Sequence, residues 1–289
     1  MGKLENNIFF ILLLSAISTT AQITHPKLSP FSTIKQDIGL VKITVEYSRP
    51  SARGRKIIGD LVPYDRIWRV GANESTKFTT SHSIKIGEYV LEKGTYALYT
   101  IPHKDRWEVI FHKNTTHWGD GRNDYKADED VFRLNIQPEK VNDWQETFLI
   151  AFNHIDHNSA VMDWIWEHTK ISIPIEVDTH RMMLTQIDTE LKSNPTAMSY
   201  YQAARYFQEQ DVNGTKALKL LAKAEKKGGK TYYIHRIRSL LLAKNGQYKS
   251  AIKEAQASLR IADSLGKDEF VRMNLKNIEF WSRQGNKKP

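Results

Sequence analysis

The stretch "ISIPIEVDTHRMMLTQIDTELKSNP", Ile171 to Pro195, changes its period partway along. "ISIPIEV" is short and rich in β-branched residues, and it reads as a strand. After Val177 the spacing is different: Met183, Ile187 and Leu191 stand four apart, along one face of a helix. Asp178 or Thr179 suits the N-cap, and Pro195 stands past the end. The switch divides the chain into a β unit before it and a helical unit after it.

Upstream, from about Lys35, the pattern is β throughout. "VKITVEY" (Val41–Tyr47) alternates Val, Ile, Val and Tyr with Lys, Thr and Glu. "SIKIGEYVL", "GTYALYTI", "WEVIF", "VFRLNI", "TFLIAF" and "AVMDWIW" follow at short intervals, separated by turn chemistry. About nine strands with no helical stretch between them predict an all-β antiparallel sandwich, or a jelly-roll-like barrel, over residues 29–177. Trp164 and Trp166 are two apart and share a face.

Downstream, residues 178–194 form a connecting helix and residues 195–285 an all-α repeat region. Ala217, Leu218, Leu221 and Ala224 recur 34 residues later as Ala251, Ile252, Ala255 and Ser258. Tyr206 and Phe207 map in the same way onto Leu240 and Leu241. A period of that length, in helix pairs, resembles the tetratricopeptide repeat. Two degenerate repeats, about 194–228 and 229–262, are followed by a capping helix in "KDEFVRMNLKNIEFWSR". Such a stack is short and curved.

The first 21 residues have the pattern of a signal peptide. Lys3 precedes the apolar run "IFFILLLSAI", and Thr19 and Ala21 suit a cleavage site before Gln22. The run is too short for a membrane span, which needs about 20 apolar residues. The expectation is an exported protein, periplasmic or secreted, with no transmembrane segment after cleavage. The absence of cysteine removes disulfides, thiolate metal sites and cysteine nucleophiles. The net charge of +9 belongs to the helical unit, where 21 Lys and Arg face 11 Asp and Glu from Asp178 onward. A basic helical surface is either simply solvated or attracts an acidic partner, an anionic lipid surface or nucleic acid. No recognition motif supports nucleic acid.

The β half resembles the bacterial domain of unknown function numbered 2911, DUF2911, common in exported proteins of the Bacteroidetes group. The matching stretches are "SPFSTIKQDIGLVKITVEYSRPSARGRKIIGDLVPYDRIWRVGANESTKFT", "LEKGTYALYTIP", "WEVIFHKNTTHWG" and "ADEDVFRLNI". The resemblance covers about Ser29 to Val177 and implies a domain boundary and a compartment, but no reaction and no cofactor. One position departs from the family pattern: Asp65 follows Tyr64 where glycine is usual, so that turn is expected to differ in backbone conformation.

The candidate site residues lie in two segments and one long loop. "YSRPSARGRKIIG" supplies Arg49 and Arg55, whose planar forks suit carboxylate or phosphate. "RIWRVGANEST" supplies Trp68, Arg69, Asn73 and Glu74. Together these make either an anion site or a brace in which the arginines pair with Glu74 and Asp65. The loop from His112 to Asp130 carries Trp118 and Tyr125, which either stack on a sugar ring or plug one end of the sandwich. His112, His117 and Asp120, and separately His154 and His157 around Asp156, lack a recognised metal spacing, so no metal is expected. No nucleophile elbow, P-loop or dinucleotide fingerprint occurs. The leading expectation is a binding or scaffold protein of the cell envelope. Its β domain takes a small anionic or glycan-like ligand, and its repeats take a protein. The alternatives are a glycoside-type hydrolase pairing Glu74 with Asp130, and a purely structural pair of domains.

Overall fold

A computed structural model describes residues 25–119 and 125–285. The expected signal segment and Asp120 lie outside the described residues. The chain divides into two compact units between Val177 and Asp178.

The first unit is a β sandwich with two antiparallel sheets. One sheet has six strands in the order β1 (Phe31–Ile38), β2 (Val41–Ser48), β3 (Thr76–Thr80), β6 (Gly94–Pro102), β7 (Trp107–His112) and β8 (Asp130–Ile136). The other has four in the order β5 (Tyr89–Leu91), β4 (Ile84–Ile86), β10 (Ser159–Glu176) and β9 (Glu139–Asn153). Along β2, Val41, Ile43, Val45 and Tyr47 are buried, as strict alternation requires of a strand with one covered face. Aromatic rings fill the space between the sheets. Trp68 stacks on Trp166 of β10, with centroids 5.8 Å apart, and meets Phe148 of β9 edge-on at 5.2 Å. Tyr89 stacks on Phe132 at 4.7 Å toward the other side.

"AVMDWIW" and "ISIPIEV" read as separate strands in sequence, but they are one 18-residue strand, β10. Its pairing with β9 shifts register on both sides of Glu167, which has φ 53°. The bulge re-aims that side chain. The Glu167 carboxylate accepts the backbone N–H of Ile57 at 2.9 Å and of Ile58 at 3.2 Å, tying the long β2–β3 connection to the sheet.

The second unit contains α1 (Thr179–Lys192), α2 (Ala197–Glu209), α3 (Gly214–Lys226), α4 (Tyr232–Lys244), α5 (Tyr248–Ser264) and α6 (Asp268–Gly285). Asp178 caps α1 by accepting Arg181 N–H at 3.0 Å, and Thr196 opens α2 with a reciprocal box to Ser199. α2 packs on α3, α4 on α5 and α5 on α6. Ala217 and Leu221 of α3, and Ala251 and Ala255 of α5, are fully buried at matching positions of the two hairpins. Small residues at the helix contacts let the axes approach closely. Among the described residues, no helix is long and apolar enough to cross a membrane. The expected class, an antiparallel sandwich followed by an all-α region, is the one observed.

Candidate functional site

The segment "RIWRVGANEST" crosses the end of the sandwich in a constrained conformation. Trp68 exchanges both backbone hydrogen bonds with Thr100 of β6, each at 2.8 Å. Its indole Nε1 donates to the Gly71 carbonyl at 3.1 Å. Val70, Gly71 and Asn73 then take φ of 55°, 154° and 62°. A β-branched residue at positive φ is strained by roughly 1–3 kcal/mol. Here Val70 is held by its burial and by Thr76 Oγ1, which donates to its carbonyl at 2.6 Å. A Cβ at Gly71 would stand 2.9 Å from the Ser48 carbonyl oxygen, so the chain passes β2 where only glycine fits.

This path places Asn73, Glu74 and Ser75 on one side of a cleft of about 220 Å³. Asn73 Nδ2 donates to Ser48 Oγ at 3.0 Å. Glu74 accepts Lys77 Nζ at 2.6 Å. That hydrogen bond, and then the charges of Lys77 and Lys27, hold the Glu74 carboxyl below the ordinary carboxylate range. Ser75 is only 3% exposed, and its Oγ has no hydrogen-bond partner among the described residues. Two aromatic side chains stand at the mouth, Trp118 at 63% exposure and Phe31 at 59%. Glu46 and Lys27 complete the polar lining.

Of the sequence candidates, Asn73, Glu74 and Trp118 line this cleft, whereas Arg49, Arg55, Trp68, Arg69 and Tyr125 do not. Arg49 Nε donates to the Phe148 carbonyl at 3.0 Å, across the sandwich. Arg55 folds back on its own loop, donating to the carbonyls of Ala52 and Ser51. The brace foreseen between arginines and carboxylates also takes another form: Glu74 pairs with Lys77, and Asp65 with His103. Trp68 is core. Asp65, expected to change its turn, instead adopts φ 60°, the conformation that glycine would supply.

The long loop splits the two aromatic candidates. Trp118 bridges backbone to backbone with Glu74 and is presented outward. Tyr125 turns in over the outer face of the six-stranded sheet, against Tyr99 and His112. Its hydroxyl donates to Asp130, and Arg133 Nε donates to the same carboxylate at 2.8 Å. Burial, then the bond to Asp130, pushes the Tyr125 phenol well above its ordinary range. Asp130 and Glu74, the pair required by the hydrolase reading, are each held by their own cation rather than by one another.

The two loop histidines are structural. His112 is held from both sides, with Nδ1 3.1 Å from the Asn114 backbone nitrogen and Nε2 3.1 Å from the Lys126 carbonyl oxygen. His117 Nδ1 meets the Tyr99 hydroxyl at 2.8 Å. Asp156 is occupied in a turn, accepting the N–H groups of Asn158 and Ser159. Among the described residues, no three metal-ligating side chains converge.

Phe31, Glu46 and Lys77 escaped the sequence reading, because strand register brings them to the cleft, and so did Lys27, which lies just before β1. Phe31 lies opposite Ser48, and Glu46 lies opposite Lys77. The hydrophobic alternation of β1 and β2 contains that register, but nothing local marks these residues as a site.

Neither the curated proteins nor the solved structures contain a match to the chain. The family described as protein of unknown function (DUF2911) does match it, over residues 29–175, with "RIWRVGANEST" inside the matched span. The chain therefore belongs to the DUF2911 family.

Proposed function

We propose that this is an exported binding protein, whose sandwich takes a glycan-like ligand in the Trp118 cleft and whose helical repeats take a protein partner. The carrying observation is the cleft's composition. Two exposed aromatic rings stand over a polar floor in which the buried Ser75 Oγ lacks a partner. A buried hydroxyl without a hydrogen bond is costly and is satisfied when a ligand group reaches it. Exposed aromatic rings offer the apolar contact that the C–H face of a sugar ring needs, while Asn73, Glu46 and Lys27 supply donors and acceptors for hydroxyl groups.

The ionised state of Glu74 supports binding rather than acid catalysis. A carboxyl held below its ordinary range by Lys77 is a poor proton donor near neutral pH. The cleft offers carboxylates and amines at once, and Arg49, Arg55 and Arg69 stand outside its lining. Export rests on the signal-like residues 1–21 and on the lack of cysteine, which suit a cell-envelope compartment. The 34-residue spacing of the helical hairpins is that of tetratricopeptide repeats, which stack to present an extended binding face.

The test is a panel of neutral and acidic oligosaccharides titrated into the full chain, followed by tryptophan fluorescence and calorimetry. Binding is expected with at least one member of the panel, weakened about tenfold or more by Trp118→Ala and several-fold by Ser75→Ala. If no member binds, or if Trp118→Ala leaves affinity intact, the cleft is not a glycan site.

A further inference from the structure

Two arginines on α4 are in opposite situations. Arg238 is doubly neutralised, by Glu225 Oε2 at 2.7 Å and Glu254 Oε2 at 3.4 Å. Arg236, two residues earlier, has no ion-pair partner among the described residues. Its guanidinium donates to Asn274 Oδ1 and to the thioether sulfur of Met273, both at 3.3 Å. Burial pushes its pKa below the ordinary arginine range, against the opposing charge of Glu269. A partly desolvated cation with no carboxylate in ion-pair contact among the described residues is unfavourable in the free protein.

The position of Arg236 is nevertheless built. Asn274 is fully buried, and its Nδ2 donates to Ser258 Oγ at 2.8 Å. Ser258 in turn donates to the Tyr232 carbonyl at 2.6 Å. The relay leaves Asn274 Oδ1 facing the guanidinium and fixes its direction, with most of its N–H donors still unused. Around it lie aromatic side chains from the same set of helices. Tyr201 of α2 and Tyr233 of α4 are 4.5 Å apart, and Tyr232 meets Phe270 of α6 at 4.7 Å. Thus α2, α4 and α6 contribute to one face that joins half-buried rings to a waiting cation. The surrounding unit carries ten more basic than acidic residues.

We propose that this face binds a peptide segment rich in aspartate or glutamate, one of whose carboxylates takes the open side of the Arg236 fork. The occupant follows from charge complementarity: a planar fork with no carboxylate in contact matches one through two parallel hydrogen bonds, and the tyrosines pack against the peptide. The inference rests on the reading of the helical unit as a protein-binding module.

The experiment uses the full chain and fluorescence anisotropy. The probes are a labelled, C-terminally amidated glutamate-rich 12-residue peptide and the same peptide with glutamine at each glutamate. The glutamate peptide is expected to bind about tenfold or more tightly than the glutamine peptide, with a preference that falls as salt rises. Arg236→Leu is expected to abolish the preference without lowering the melting temperature. Asn274→Asp, which sets a carboxylate against the guanidinium but forfeits the Nδ2 bond to Ser258, is expected to abolish it too. Equal binding of the two peptides overturns the acidic preference but leaves the protein-binding reading standing. Binding of neither overturns both. Unchanged preference in Asn274→Asp, or Arg236-dependent binding only to phosphatidylglycerol vesicles, also overturns the proposal.

Discussion

The sandwich and the helical unit close their cores by opposite means. In the sandwich, residues distant in sequence supply bulk: Trp68 lies among Trp107, Phe148 and Trp166, with ring centroids 5.2–6.4 Å apart. In the helical unit, residues at a fixed spacing supply the lack of bulk, as with the fully buried Ala217, Ala251 and Ala255. Facing sheets lie about 10 Å apart and need large side chains to fill the gap. Helix axes reach 8–10 Å only where small side chains permit it. The same change in volume should therefore damage one unit when it removes atoms and the other when it adds them.

The strongest way to break this comparison is to empty the sandwich at its centre. Trp68→Ala removes the ring shared by both sheets and the Nε1 bond to Gly71. It is expected to cost about 3–5 kcal/mol, read from denaturant unfolding followed by near-ultraviolet circular dichroism. A loss below about 1 kcal/mol would mean that the aromatic cluster is not the keystone. Next comes filling the helical contact. Ala251→Leu forces a larger side chain between packed helices and is expected to cost about 1–3 kcal/mol. The loss should show as faster hydrogen exchange in the amides of α4 and α5. Unaltered exchange there would mean that the small residues are not packing constraints.

The smallest effect is electrostatic. Glu254 is held below the ordinary carboxylate range by its hydrogen bond from His235 Nδ1, then by the charge of Arg238. A folded-state pKa below the unfolded value stabilises the fold above the ordinary carboxylate pKa. That contribution disappears as the pH falls through the folded value. Glu254→Gln should thus lower stability near neutral pH and flatten the loss on acidification below about pH 4.5. Glu74 in the sandwich is shifted in the same direction, but it is mostly exposed to water, so Glu74→Gln should change the pH profile less. An equal change in both variants would erase this part of the contrast.

The candidate site was half legible in sequence. "RIWRVGANEST" stands out because glycine and an Asn-Glu-Ser-Thr run interrupt a strand-like stretch, and three of its residues do reach the cleft. Arg49 and Arg55 attracted equal notice and serve backbone carbonyls, a role that their residue type does not distinguish from ligand binding. Trp118 and Tyr125 could not be separated in sequence either. Both are aromatic residues in one loop, and only the packing of Tyr125 against Tyr99 and its bond to Asp130 turn it inward.

What the sequence alone determined about this protein is what depends on neighbours along the chain. The change of period at Val177, a cap at Asp178 or Thr179, the 34-residue repetition in the helical unit and the membership of residues 29–175 in DUF2911 are of this kind. Tertiary structure alone decided which polar groups meet. Phe31 joins Ser48, Glu46 joins Lys77, and Arg236 is left without the carboxylates that its neighbour Arg238 receives. Hydrophobic periodicity is a local property read over a few residues, whereas the partner of a charge or a hydroxyl is set by strand register and helix packing across tens of residues.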